Sequence, residues 1–415
     1  MASGKYLLVI GGPTASGKTE LAIRLARHYG TEILSADSRQ LFRELTIGTA
    51  KPTPAERAQV PHHFIDSRSI RQAYSVGEYE REALARLEEL FRQRDLVVLA
   101  GGSGLYIRAL TQGLDDFPEV PAAARDAWEK RYESHGLAHL QEALRQADPD
   151  YAREVDLQNP HRLIRALAVI SHSGRPFSSY RRREARPRPF TSIYLQLHRP
   201  RAELYARINA RVDAMMAAGL LEEVEALQPY RRHTALQTVG YQELFDLLDD
   251  KLSLPEAVAQ IKRNTRRYAK RQLTWHRRDG YWKHVRPDEW KRTIRWIGGA
   301  MEAGWQLATA EEGQLLARKR AGVSARVFFA GSGRKAAACW PAGQPAESAL
   351  EDMLLHETIL RLEEQGGSLC LPAALKLRAR EMGCTPLEES PNGCTACPSL
   401  PNSEAYTCWQ VPSAK

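Results

Sequence analysis

The run Gly12-Pro13-Thr14-Ala15-Ser16-Gly17-Lys18-Thr19 has the spacing G-x-x-x-x-G-K-[ST]. Its chemistry is anion capture. Backbone N–H groups and a helix N-terminus aimed at one point favour negative charge. Lys18 adds a full cation, and the Thr19 hydroxyl suits a Mg²⁺ ion. Asp37 is the second candidate. It follows an apolar run, so it falls on the rim where open α/β sheets bind their ligands. It reads equally as a general base, as an indirect metal ligand, or as the N-cap of a helix starting near Ser38. The third candidate is a dense basic stretch. Residues 262–283 hold nine Lys/Arg (262, 263, 266, 267, 270, 271, 277, 278, 283) against one acid, Asp279, interleaved with Tyr268, Trp275 and Trp282. Cations with stacking aromatics form a footprint for RNA or single strands.

These residues need a scaffold, and the apolar pattern supplies one. Tyr6–Ile10, 31–36, 95–100 and 191–197 read as buried parallel strands, with helices after the first and between the others. Ser75 followed by Glu78 marks a capped helix reaching Arg94. The strand ending at Ala100 runs into Gly101-Gly102-Ser103-Gly104, without the Mg²⁺-holding Asp common in phosphate-loop NTPases; this counts against a motor-type NTPase. His62 and His63 are adjacent, so on a strand they face opposite ways, and they read as structural rather than as a metal pair. Between 115 and 189 the strand signal disappears. Helical segments are expected over 122–133, 137–147 and 160–171, followed by an arginine-rich, proline-broken stretch. Arg162 and Arg165 share a face there.

Charge and cysteine divide the chain near residue 304. Residues 305–415 hold 11 Lys/Arg and 12 Asp/Glu, so the first 304 carry the entire positive excess of a chain with net charge +9. A polyanionic partner is implied for that part. All six cysteines lie in the last 77 residues, so the main body needs no disulfide. No apolar run approaches the ~20 residues of a membrane span, and Met1–Lys5 lead straight into the first strand, so a soluble cytoplasmic protein is expected.

Several segments together resemble the bacterial tRNA dimethylallyltransferases, also called tRNA isopentenyltransferases. They are Gly12–Thr19, Asp37-Ser38-Arg39-Gln40, Ile47–Pro52, Val60–His63, Gly101–Tyr106, Asn159–Leu167, Thr238–Tyr241 and Tyr268–Trp275, in family order over about residues 5–304. The resemblance implies a P-loop NTPase-like α/β core with a mostly parallel sheet (1–115 and 190–304), including a basic helical region for tRNA. It also implies a helical insertion (116–189) at the anticodon arm. The implied activity moves a dimethylallyl group from dimethylallyl diphosphate to N6 of the adenosine 3′ to the anticodon, in tRNAs reading codons that begin with U. Diphosphate is released. Gly12–Thr19 would hold the diphosphate with Mg²⁺ at Thr19. Lys18, Thr19 and Arg211 would serve the leaving group, and Asp37 would be the general base. Asp37, Ser38, Arg39, Gln40, Ser103, Arg125, His161, Arg162, Leu163, Ile164 and Arg165 would contact tRNA. His161 stands where the family usually has Gln, and Ser103 where Thr is common. The family expectation is a monomer.

Two other readings stand beside this one: a P-loop small-molecule kinase or NTPase, and a non-catalytic RNA-binding protein. The extension 305–415 lies outside the resemblance. Cys384, Cys394, Cys397 and Cys408 are a candidate Zn²⁺ set, and 347–365 reads as an amphipathic helix in an otherwise Gly-, Pro- and Ser-rich segment.

Overall fold

The computed structural model describes residues 4–181, 185–278 and 282–303, together with the backbone of seven strands between 306 and 410. The chain divides into two compact units, 1–110 with 189–415, and 111–188.

The first unit is built on six strands: β1 (Tyr6–Gly11), β2 (Ile33–Ser35), β3 (His62–His63), β4 (Leu96–Ala100), β5 (Thr191–Leu197) and β6 (Lys283–Val285). Their order is β3-β2-β4-β1-β5-β6, and every pairing is parallel. β1 is central. Val9 faces Leu99 on one side and Tyr194 on the other. A parallel sheet is covered on both faces, which is why β1 is buried throughout. Alternate β1 residues serve opposite faces. Tyr6, Leu8 and Ile10 meet α1 (Lys18–His28) and a late helix over 290–303. Leu7 and Val9 meet Tyr79, Ala83 and Leu87 of a helix over 76–91, whose Ser75–Glu78 capping box forms as expected.

The helices after α1 are labelled in chain order. They are α2 (Pro54–Gln59), α3 (Val76–Phe91), α4 (Gly104–Gln112), α5 (Ala122–Ala147), α6 (Pro149–Glu154), α7 (Pro160–Ser173), α8 (Arg201–Ala217), α9 (Leu220–Ala226), α10 (Tyr241–Leu248), α11 (Leu254–Arg278) and α12 (Trp290–Ala303). α8–α11 build a second core around Val212, Leu220, Val224, Tyr241, Leu244 and Ile261. Gly219, at a φ of +96°, separates α8 from α9.

The second unit is helical. α5 and α7 bury Trp128, Leu140, Leu144, Leu163 and Leu167 between them. Gly136 interrupts α5 at φ 74°, between the two segments read from the sequence. Gly174 at φ 68° ends α7.

Beyond 305, seven strands, β7 (Gln306–Thr309), β8 (Gln314–Lys319), β9 (Gly322–Ala330), β10 (Lys335–Cys339), β11 (Ser368–Pro372), β12 (Thr385–Pro386) and β13 (Tyr406–Gln410), form a separate sheet in the order β12-β13-β11-β10-β9-β8-β7. The apolar alternation Val323, Ala325, Val327, Phe329 within Gly322–Ala330 is a strand signal that a Gly-, Pro- and Ser-rich reading passes over. The helix expected over 347–365 and the side chains of the candidate zinc set lie outside the described residues. No helix among the described residues is long and apolar enough to cross a membrane.

Candidate functional site

The loop between β1 and α1 turns through Gly12 (φ +145°), Ala15 (φ 63°) and Gly17 (φ +100°). These positive-φ positions aim it over the N-terminus of α1. The Lys18 ammonium donates to Gly12 O at 2.9 Å and Pro13 O at 2.8 Å. Burial brings its pKa down to about 8, against the upward pull of Asp37, and Arg211 adds to the lowering. Three arginines reach the loop. Arg199 Nε donates to Ser16 O at 2.8 Å, Arg207 Nε to Ala15 O at 2.9 Å, and Arg211 Nη1 to Thr14 Oγ1 at 3.4 Å. Burial, then the neighbouring Arg207, hold the Arg211 guanidinium below its ordinary value. Clustered, partly buried cations of this kind make a candidate anion site.

Asp37 follows β2. No helix starts at Ser38; 38–41 form turns instead. Asp37 Oδ1 accepts from Arg39 N at 2.9 Å and Gln40 N at 3.3 Å, so the carboxylate caps a turn while lining the same cavity as Lys18 and Thr19. Ser103, after β4, joins it: Ser103 Oγ accepts from Ser38 N at 2.9 Å. A Cβ on Gly101 would sit 2.1 Å from Ala36 O, so the close approach of these two loops requires glycine there.

The cavity measures about 420 Å³. Its lining joins polar groups (Thr14, Lys18, Thr19, Asp37, Arg207, Arg211) to apolar ones (Val212, Met215, Leu220, Val239, Ile261). Arg207, Arg211 and Met215 sit on successive turns of α8, so the wall passes from guanidinium to thioether along one helix. Tyr268 of α11 also lines it. Burial raises its phenol to about 12, and Asp37 adds to the rise. The loop 48–52 forms another wall and is held from behind by Glu223. One carboxylate accepts from Thr46 N (3.1 Å), Ile47 N (2.7 Å), Gly48 N (3.1 Å) and Tyr241 Oη (2.6 Å).

The sequence-derived site residues therefore fall into two groups. Gly12–Thr19, Asp37–Gln40, Ser103 and Arg211 come together in the first unit. Arg125 and 161–165 belong to the second. There, Asn159 caps α7 through Arg162 N at 3.2 Å, and His161, Arg162 and Arg165 are exposed. Arg165 lies over the Phe117 ring, and Arg125 pairs with Glu129. Leu163 and Ile164 correct the expectation of tRNA contact: at 0% and 3% exposure their side chains belong to the helical core.

The basic and aromatic footprint over 262–283 is also corrected at one of its aromatics. Trp282 is 3% exposed, packed against Tyr194 and His276. Tyr268 faces the cavity, and the Trp275 ring lies where a Cβ on Gly104 would be, 1.9 Å away. Lys283 is buried in β6 and Lys262 pairs with Asp213. Outward on α11 are Arg263 and a hollow lined by Arg267, Lys270, Arg271, Thr274 and Trp275. The side chains of Arg277 and Arg278 lie outside the described residues. His62 and His63 make polar contacts, with Val60 O (2.8 Å) and with Glu32 (2.7 Å).

Sequence reasoning missed Arg199, Arg207, Glu223 and Gln272. Arg207 stands one turn before Arg211, a spacing that signals it. Glu223 had no such signal, because its backbone partners lie 175–177 residues away.

Comparison with known proteins follows the same division of the chain. The family described as IPP transferase matches residues 40–279. The tRNA dimethylallyltransferase of Christiangramia forsetii is 49% identical over 289 residues, covering 70% of this chain and 96% of that protein. That of Flavobacterium johnsoniae is 49% identical over 281 residues, covering 66% and 91%. Among solved structures, the full-length tRNA isopentenylpyrophosphate transferase of Bacillus halodurans is similar at 34% identity and TM-score 0.54, covering 72% of this chain and 97% of that one. A eukaryotic dimethylallyltransferase acting on tRNA, 24% identical, shares the fold at TM-score 0.61 over 72% of this chain and 80% of that one.

Proposed function

This chain belongs to the tRNA dimethylallyltransferase family, and from that premise we propose that it transfers a dimethylallyl group from dimethylallyl diphosphate to N6 of the adenosine 3′ to the anticodon. The observation that carries the reading is a single cavity that joins a cationic phosphate loop, a carboxylate and an apolar wall. A prenyl diphosphate has the matching halves.

In the transfer, N6 bonds to C1 of the allyl group as the C1–O bond breaks, and the electron pair of that bond leaves with diphosphate. Charge grows on the leaving group. Lys18, Arg211 and the N-terminus of α1 meet it with fixed positive charge, the arrangement that lowers such barriers most. Asp37 takes the N6 proton. Its Oδ1 is engaged by the turn, which orients the carboxylate toward the cavity it lines. Val212, Met215, Leu220, Val239 and Ile261 hold the five-carbon tail away from water.

A divalent cation, Mg²⁺ by its preference for hard oxygen ligands, fits the Thr19 hydroxyl beside the donor's phosphates. Bound there, it would neutralise part of the leaving group's charge. Ser38, Arg39, Gln40 and Ser103 would face the target nucleotide, and Arg125, His161, Arg162 and Arg165 the anticodon arm. The protein would act as a monomer in the cytoplasm.

The test is incubation of purified protein with unmodified tRNA, labelled dimethylallyl diphosphate and Mg²⁺, with ATP in a parallel reaction. The reading expects label in tRNA without ATP. ATP hydrolysis with no label in tRNA would sink it and favour a phosphate-loop NTPase.

A further inference from the structure

Gln272 sits on the inward face of α11, 7% exposed, one turn beyond Tyr268. Its amide bridges two loops. Oε1 accepts from Thr14 N at 2.9 Å, in the phosphate loop, and Nε2 donates to Gly102 O at 3.0 Å, in the loop after β4. A Cβ on Gly102 would lie 2.2 Å from Gln272 Nε2, so glycine at 102 is what lets the amide approach. The link continues. Ser103 N donates to Ala36 O at 3.1 Å, and Ser103 Oγ accepts from Ser38 N at 2.9 Å, next to Asp37. A side chain 258 residues away from Thr14 in the sequence thus ties the diphosphate cradle to the loop that carries the base.

We propose that Gln272 is a positioning residue for the transfer: its bidentate amide sets the distance between the phosphate loop and Asp37. The inference rests on the transferase reading above. Alkyl transfer needs the departing diphosphate, C1, N6 and the base in one alignment, and misplacement by about 1 Å costs on the order of 10²-fold in rate. The amide serves both loops, because Thr14 N needs an acceptor, Gly102 O needs a donor, and it supplies one of each. Gln272→Met keeps the length and removes both hydrogen bonds. Gly102→Ala attacks the same junction from the other side.

The experiment is single-turnover transfer to tRNA, with KM for both substrates and thermal melts, for wild type, Q272M, G102A and the double variant. The expected result is a rate constant about 10- to 100-fold lower in each single variant. KM for dimethylallyl diphosphate should stay within about threefold, since Lys18 and Arg211 are untouched, and the double variant should be no slower than the worse single one. The inference is overturned if Q272M transfers at the wild-type rate, if its loss lies wholly in KM, or if the two substitutions multiply. Should Q272M fail to fold, the G102A rate and KM decide alone. Wild-type protein that transfers nothing overturns the transferase reading, and this inference with it; wild-type transfer with an unaffected Q272M overturns only this one.

Discussion

Replacing Glu223 by alanine removes four hydrogen bonds in one step, those from Thr46 N, Ile47 N, Gly48 N and Tyr241 Oη. Bonds to a charged acceptor contribute about 1.5–3 kcal/mol each when intact. The three N–H groups sit on a loop that water can reach after the change, so they recover most of that. The Tyr241 hydroxyl cannot: its residue is buried, and burial together with Glu223 already raises its pKa. An orphaned buried hydroxyl costs about 1–3 kcal/mol. The total for E223A is therefore about 3–4 kcal/mol, a fall of roughly 5–10 °C in Tm. Loss of the clamp also frees Gly48–Pro52, a wall of the cavity, so KM for the donor should rise several-fold. Thermal melts and initial rates over a donor titration measure both. A Tm within about 1 °C of wild type with an unchanged donor KM would refute the reasoning.

Lys18 should impose a pH limit. In the free protein its pKa is near 8, and the bound diphosphate favours the ammonium, so donor affinity should fall above that pH by up to about tenfold per unit. Calorimetric titration between pH 7 and 9.5 checks this, and a flat profile counts against Lys18 as a donor ligand. The same burial makes stability rise with pH above about 8, because the folded lysine sheds its proton before the unfolded one does. His276 is 0% exposed, with neither ring nitrogen hydrogen-bonded among the described residues. Burial, then Lys18 and His284, bring its pKa to about 3. Stability should therefore fall as pH drops from 6.5 towards 3, and H276L should flatten that limb and add about 1–2 kcal/mol at neutral pH, read by urea melts at several pH values. Replacing both Arg162 and Arg165 by alanine should raise KM for tRNA, lower the salt slope of binding by about 0.7 per lost phosphate contact, and leave the donor KM unchanged.

The sheet was legible because parallel strands buried on both faces read as apolar runs, and 191–197 is a strand over its full expected length. β6 was not, since Lys283-His284-Val285 carries no such pattern and owes its place to pairing with Leu195–Leu197. The phosphate loop was legible from spacing. Asp37 was half legible: position gave its rim, while its turn-capping bonds to Arg39 and Gln40 needed coordinates. Glu223 and Gln272 were opaque for one reason, that each acts on backbone groups far away in the chain. Trp282 misled because a tryptophan near arginines suits stacking on a base as well as packing on Gly11, and burial decides between them.

The base assignment is the centre of this account, and one substitution isolates it. Asp37→Asn retains an oxygen to accept from Arg39 N and Gln40 N, so the turn survives while the proton acceptor is lost. The measurement is the single-turnover rate of dimethylallyl transfer to tRNA by this variant, with donor affinity determined alongside. A rate lower by about 10²–10⁴ with donor affinity within about threefold of wild type is the predicted result. Transfer at the wild-type rate would contradict it.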